Sequence, residues 1–509
     1  MKEQMRFGFP GNPSDKAPNG TASILLLALA WISLAVWLRG LAGSLVVLVF
    51  SLLMFVLMVR EGARGLAPVF TSRQQWAVVA LAAAKVLASL TYFDSFFVIG
   101  GIDGDVSVRG NYGDSSLYHQ RALDIASLLS LQIESLLGKL HVCLEYEGLQ
   151  GNIQMLNARS GAQWGYPLLL GVVYLVAGDN PLVAIVANAL LMFFTIVVFA
   201  KLFIACHLPA TQVRIAVWLL LLWPGLWAWS SLLYKDALLY FLVSLALLYI
   251  ARILRSPALG AWVGFLICLG LLLPVRYSYV APLVVAIIFG RSFIPAGDGA
   301  PRGFWLDLSI RIVLAAFVLV VLDGLFGFLT NYPSILYSLK GLLEIEPTGG
   351  RFMSAQSSIV PTTFGGIALI PLRIIYVLLI PFPWFGGTFP LEKFDFTVWH
   401  ADALLGMWLI SAAAIVGISC RSFKIDRLQV LLLLVGLIYL ALPAFFYWPD
   451  RRYTTIAMPI LLAFAAPILG DRVKLLQSIA LALSVVAIVL LVYAFDYGAL
   501  LNLVRGLQH

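Results

Sequence analysis

Charge is scarce in this chain. Only 11% of its 509 residues are Asp, Glu, Lys or Arg, 61% are hydrophobic, and the mean hydropathy is +0.97. So little polar surface cannot cover a globule in water, and a soluble fold is excluded. Cysteine is scarce as well. Cys143, Cys206, Cys268 and Cys420 are scattered, with no CxxC and no histidine at ligand spacing, so neither a disulfide framework nor a structural zinc site is indicated. The sequence also lacks a Walker A loop, a GxSxG nucleophile elbow and a His-rich redox set. The short alternating segments of an outer-membrane barrel are missing too. Its apolar runs instead approach 20 residues, the length that carries a helix across a hydrocarbon core of roughly 30 Å. The net charge of +8 is spread over many short loops, which membrane topology explains better than nucleic-acid binding.

The pattern predicts an all-α polytopic membrane protein of about 13 transmembrane helices. Residues 1–20, with Lys2, Arg6 and Lys16 among Gly, Pro, Asn and Ser, read as a flexible cytoplasmic tail, and 21–509 as a single membrane domain. Ser23 to Leu38 and Leu41 to Met58 read as two retained spans rather than a signal peptide. Arg60, Arg64 and Arg73 place the next loop inside, so a span from about Trp76 to Val98 leads to the far face. Two long loops are expected there, over 98–163 and 330–398, with surface-lying helices such as the amphipathic stretch Ile125 to Leu140. The segment from Trp164 to Gly178 is expected to be short and non-crossing, because a full crossing would strand Lys201 and Arg214 outside. A single span is expected over about Val213 to Trp229, followed by a far-side turn, SSLLYKDA, and further spans whose inner ends carry Arg252, Arg255 and Arg291. Another far-side turn, PVRYSY, carries Arg276. Phe364 to Ile380 reads as re-entrant.

The chemistry concentrates in Gly101 to Ala126, GIDGDVSVRGNYGDSSLYHQRALDIA, the first long polar stretch after a strongly apolar region. Asp114 precedes a helical run, where it suits either a helix N-cap or a general base taking a proton from a hydroxyl. Tyr118 falls one turn later, with His119 beside it and Arg121 two turns on. A lone His119 is more in keeping with a satisfied interfacial histidine than with a ligand. Asp103 and Asp105 have the spacing of a paired-acid site for Mg²⁺ or Mn²⁺, a weak pattern that ordinary turns also show. The other far-side turns carry Lys235 with Asp236, Arg276, Arg351, Arg373, and Arg451 with Arg452. Cations are disfavoured outside, and a phosphate at the membrane surface would account for such a set. Taken singly, each also suits snorkelling to lipid headgroups. The tryptophans at 223, 227, 229, 384 and 448 suit an aromatic belt, and Lys85, within the third span, has no assigned role.

Three stretches carry a family resemblance. GDSSLYHQRALDIA followed by WGYPLLLGVVYLVAGDNPLVAIVANALL, then WPGLWAWSSLLYKDALLYFLVSLAL, then YWPDRRYTTIAMPILLAFA resemble the GT-C glycosyltransferases, the superfamily of bacterial protein O-mannosyltransferases and the lipid A aminoarabinose transferase. The likeness is closest over about Phe97 to Leu254. It implies a GT-C-like bundle in the bacterial inner membrane that transfers a sugar, with inversion, from a polyprenyl-phosphate carrier to a periplasmic glycan, lipid or protein. Asp114 matches the catalytic acid position. Tyr118, His119, Arg121, Lys235, Arg276, Arg351, Arg451 and Arg452 would surround substrate and phosphate. Two extra spans precede the family's usual first one. A polymerase or ligase acting on diphosphate-linked glycans, and a lipid-linked substrate transporter or flippase, are the alternatives.

Overall fold

The computed structural model describes residues 45–99, 106–108, 118–127, 129–130, 165–177, 181–290, 318, 409–419, 427–445, 455–469, 471–481 and 483–484. Helices dominate these residues. The exception is an antiparallel ribbon in which Phe97–Ile99 (β1) pairs with Val106–Val108 (β2), Phe97 opposite Val108. In chain order the helices are α1 (Leu45–Leu66), α2 (Ser72–Phe96), α3 (118–127), α4 (Gly165–Ala177), α5 (Pro181–Ala205), α6 (Ala210–Leu222) and α7 (Pro224–Ser230). They continue with α8 (Asp236–Arg255), α9 (Leu259–Arg276), α10 (Val280–Gly290), α11 (Ile410–Ser419), α12 (Arg427–Phe445), α13 (Ala457–Leu469) and α14 (472–481).

Among the described residues, α5, α8 and α9 are long and apolar enough to cross a membrane. At 1.5 Å per residue, the 25 residues of α5 reach about 37 Å. This helix is the hub: it packs against α1, α2, α4, α6, α7 and α8. Its buried residues cover the whole circumference, from Leu182 to Phe203. By contrast, α9 is also long and apolar but leaves Leu259, Trp262, Val263, Leu266, Ile267 and Leu271 exposed. Exposed apolar surface of that extent is stable in hydrocarbon, not in water.

Two local features differ from the expected topology. Arg60 and Arg64 do not lie in a loop, because α1 continues to Leu66 and both arginines approach Glu61 on the same helix, at 3.9 and 3.6 Å. The next helix starts with a reciprocal cap. Thr71 Oγ1 accepts from the Gln74 backbone N–H at 3.4 Å, and Gln74 Oε1 accepts from the Thr71 N–H at 3.1 Å. The expected single span over Val213 to Trp229 is instead broken between α6 and α7. Trp223 has an extended backbone (φ −66°, ψ 113°) because the ring of Pro224 disfavours helical geometry in the residue before it. The indole N–H of Trp227 donates to the carbonyl of Leu221 at 2.9 Å, closing one of the backbone groups freed by the break. As expected, α4 is short. Its 13 residues reach about 20 Å, less than a hydrocarbon core.

Candidate functional site

The helices run back and forth, so their ends gather into two groups. One group holds the end of α1, the start of α2, the end of α5, the start of α6 and the end of α8. Here Gly65 lies against α5, where an added Cβ would stand 3.1 Å from Lys201 Cε, and Phe70 meets the Trp218 ring edge-on at 6.2 Å. Arg60, Arg64, Arg73, Arg252 and Arg255 are exposed there. The other group holds the end of α2, the starts of α5 and α8, the turn between α7 and α8, and α3 and α4. There the polar groups are inside: Ser89, His119, Asn188, Ser230, Ser231, Lys235 and Asp236 are all buried.

The second end is built around Asn188, on the N-terminal half of α5. Its Nδ2 donates to the Tyr166 hydroxyl at 2.8 Å, to the Leu232 carbonyl at 2.9 Å, and more weakly to the Tyr234 carbonyl at 3.4 Å. Backbone carbonyls accept only, so the amide can face the turn only with its nitrogen. The hydroxyls of Ser231 and Ser89 hydrogen-bond at 2.7 Å, tying the same turn to α2. Trp229 and Tyr234, at the two ends of the turn, lie 5.6 Å apart. The turn delivers Lys235 and Asp236 to the start of α8, where the Lys235 carbonyl accepts from the Leu239 N–H at 2.9 Å. An acid in a first helical turn lies on the favourable side of the helix dipole.

The helix that follows Asp114 in sequence comes to this turn. Lys235 Nζ sits over the Tyr118 ring, 5.9 Å from its centroid, and Tyr118 meets Tyr166 edge-on at 5.4 Å. An ammonium buried to 3% exposure gains from an aromatic face, since the ring quadrupole replaces part of the lost hydration. Asp236, next in the chain, is fully buried. The approach of α3 to α4 requires Gly171, where an added Cβ would stand 2.8 Å from Ile125 Cγ2 and 3.2 Å from the Ala122 carbonyl oxygen.

Of the residues expected at the site, Tyr118 and Lys235 come together. His119 is buried and its Nδ1 is 2.9 Å from the Tyr174 hydroxyl. Arg121 is half-buried on α3. Arg276 ends α9 at this same end of the bundle, because α4 begins against it: a Cβ on Gly165 would stand 2.9 Å from the Pro274 carbonyl carbon. Its guanidinium carbon lies 5.6 Å from the Tyr279 ring centroid. Tyr279 stacks on Tyr439 at 5.3 Å, and its carbonyl accepts from the Tyr439 hydroxyl at 2.9 Å, linking the Arg276 turn to α12. Asp103, Asp105, Asp114, Arg351, Arg451 and Arg452 lie outside the described residues. Among the described residues no group of three His, Cys, Asp or Glu side chains is placed to hold a metal ion.

Sequence reading assigns no role to Asn188, Tyr166 or Tyr174. A signal for Asn188 was available. It is the one amide in a strongly apolar 25-residue helix whose other polar residues are Thr195 and Lys201, and a polar group there requires a partner. The two tyrosines carry no such mark, because tyrosine in a short apolar helix reads equally well as belt or core. No family model, no curated protein and no solved structure matches this chain.

Proposed function

We propose that the chain is a GT-C-like membrane glycosyltransferase that moves a sugar from a polyprenyl-phosphate carrier to an acceptor of the cell envelope, on the extracytoplasmic face of a bacterial inner membrane. Asp114 takes the proton from the acceptor hydroxyl. The acceptor oxygen then forms its bond to the anomeric carbon while the bond from that carbon to the phosphate oxygen breaks, and the phosphate leaves with the electron pair. Lys235 and Arg276 stabilise the charge that builds on the phosphate, an interaction that is strong in a site from which water is excluded.

The observation that supports this reading is the placement of Lys235 over Tyr118. Tyr118 follows Asp114 by four residues in sequence, and it is Tyr118 that faces the buried cation of the turn. The break between α6 and α7 favours a second reading, transport, because discontinuous helices frame substrate sites in many transporters. In this chain Trp227 fills one freed carbonyl of the break, and the buried cation lies at the start of α8 rather than at the break.

The deciding experiment measures sugar release from a panel of synthetic polyprenyl-phosphate sugars, comparing the natural chain with Asp114→Asn in identically prepared membranes. Turnover with one donor, lost in the variant while donor binding persists, is the expected result. Full activity in Asp114→Asn, or no turnover with any monophosphate donor, refutes the mechanism and favours diphosphate-linked glycans or gradient-driven transport.

A further inference from the structure

A closed circuit of contacts surrounds Lys235. Asn188 donates to Tyr166, whose ring meets Tyr118 edge-on, and the Tyr118 ring faces the Lys235 ammonium. The backbone then leads from Lys235 to Tyr234 and Leu232, whose carbonyls accept from Asn188 again. One amide therefore holds both the turn that bears the cation and the aromatic pair against which the cation rests. The need for such a clamp follows from lysine itself. Its four-carbon stem is flexible, a buried ammonium is strongly drawn to water, and a turn free to shift would let the side chain snorkel out of the bundle. Asn188 is 1% exposed and sits on α5, the helix with the most extensive packing, so the clamp has a rigid mount.

We infer that Asn188 is a positioning residue: it fixes the turn over 232–235 so that the Lys235 ammonium stays inside the bundle end, aimed at a monophosphate ester. The inference rests on the proposed phosphate role of Lys235 and adds the group through which that role depends on the membrane core. Asn188 touches no reacting atom. Its effect passes through Lys235, so removing it loses the same discrimination as removing Lys235, and removing both loses no more.

The test uses the full chain purified in detergent and two probes, undecaprenyl phosphate and the corresponding alcohol undecaprenol, with affinities read by native mass spectrometry. The ratio of the two affinities isolates recognition of the phosphate. General loosening of the fold weakens both lipids alike and leaves the ratio unchanged. The natural chain is expected to prefer the phosphate by on the order of tenfold or more, the scale of hydrogen bonding to a charged group. Lys235→Ala and Asn188→Leu are each expected to abolish that preference, and the double variant to match Lys235→Ala. Tyr166→Phe keeps the ring against Tyr118 and removes only the hydroxyl that accepts from Asn188. It is expected to reduce the preference partially, and it supplies the test if Asn188→Leu does not fold. An unchanged ratio in Asn188→Leu, or in Tyr166→Phe where that variant stands in for it, overturns the inference and leaves the reading of Lys235 intact. So does a double variant worse than Lys235→Ala. An unchanged ratio in Lys235→Ala overturns both.

Discussion

The two ends of this bundle use the same device for opposite purposes. At one end Gln429 on α12 donates through Nε2 to the Cys206 carbonyl at 2.9 Å, and at the other Asn188 donates to the carbonyls of Leu232 and Tyr234. Both amides are buried, and both join elements far apart in sequence. Around Gln429 the cations Arg252 and Arg255 are exposed, so the amide only closes a helix end, beside a His207 whose positive φ of 58° makes the turn. Around Asn188 the cation is inside, flanked by Asp236 and faced by Tyr118. Burying an ammonium is costly unless its surroundings compensate, whereas an exposed guanidinium at a helix C-terminus is ordinary. The difference shows that a hydrogen bond between helices is no mark of function by itself. What distinguishes the second end is that its amide bonds the turn that carries a buried charge.

The largest effect separating the two ends should come from their cations. Lys235→Ala is expected to lower turnover of a polyprenyl-phosphate donor by about 10²-fold, the range seen when one preorganised charge-stabilising donor is removed. Arg255→Ala, at the exposed end, should stay within about twofold, since exposed charges contribute little. Equal losses in the two variants would remove the distinction between the ends.

A second contrast sets the α3–α4 contact against the outer face of α9. Gly171→Leu drives a side chain into Ile125 and the Ala122 carbonyl, and should cost about 1–3 kcal/mol of stability in thermal unfolding while lowering donor turnover. Gly270→Leu meets no atom within 4 Å, lies on the apolar face of α9, and should leave stability the same or raise it by up to about 1 kcal/mol through better helix propensity. Destabilisation by Gly270→Leu would show that this face is covered by protein rather than lipid.

Gln429→Leu sharpens the comparison directly. It leaves the Cys206 carbonyl without its amide donor and should cost about 1–3 kcal/mol, yet turnover per folded molecule should not change. The smallest effect belongs to Asp471, which caps α14. Hydrogen bonding from the Lys474 backbone N–H, and then from that of Val473, holds its carboxyl below the ordinary 3.8. A depressed carboxyl contributes stability above its unfolded value, and that contribution is lost as pH falls from 3.8 through the folded value. Asp471→Ala should therefore speed hydrogen exchange in the first turn of α14 at neutral pH and make little difference once the carboxyl is protonated. Because the group is exposed, fraying of that one turn is the whole expected effect.

Much of the fold was legible in the chain. The helix after SSLLYKDA and the two around PVRYSY lie where apolar run length puts them, and the shortness of α4 was anticipated from Lys201 and Arg214, which a full crossing would have stranded outside. The interruption at Trp223 was also written locally, in the residue before Pro224, but a long apolar window smooths over a single extended residue. The continuation of α1 through Arg60 and Arg64 was misread because arginine signals an inner face without signalling a helix end. Of the site, Lys235, Tyr118 and His119 stood out as polar or aromatic groups beside apolar runs, but the partner of His119 Nδ1, Tyr174, did not.

Composition and run length by themselves determined that the chain is helical and suited to a bilayer, and turn chemistry determined where most chain reversals fall. Both are local or averaged properties, and both survive without knowledge of any contact. Only the tertiary structure decided which polar groups meet. Asn188 finds its carbonyl 44 residues away, and Ser231 finds Ser89 at a separation of 142. In a protein whose helices are apolar on nearly every face, periodicity does not single out the side that a neighbour will cover. Which faces are buried, and hence which lysine is held inside the bundle and which arginines remain on its surface, is settled by the packing of one helix against another.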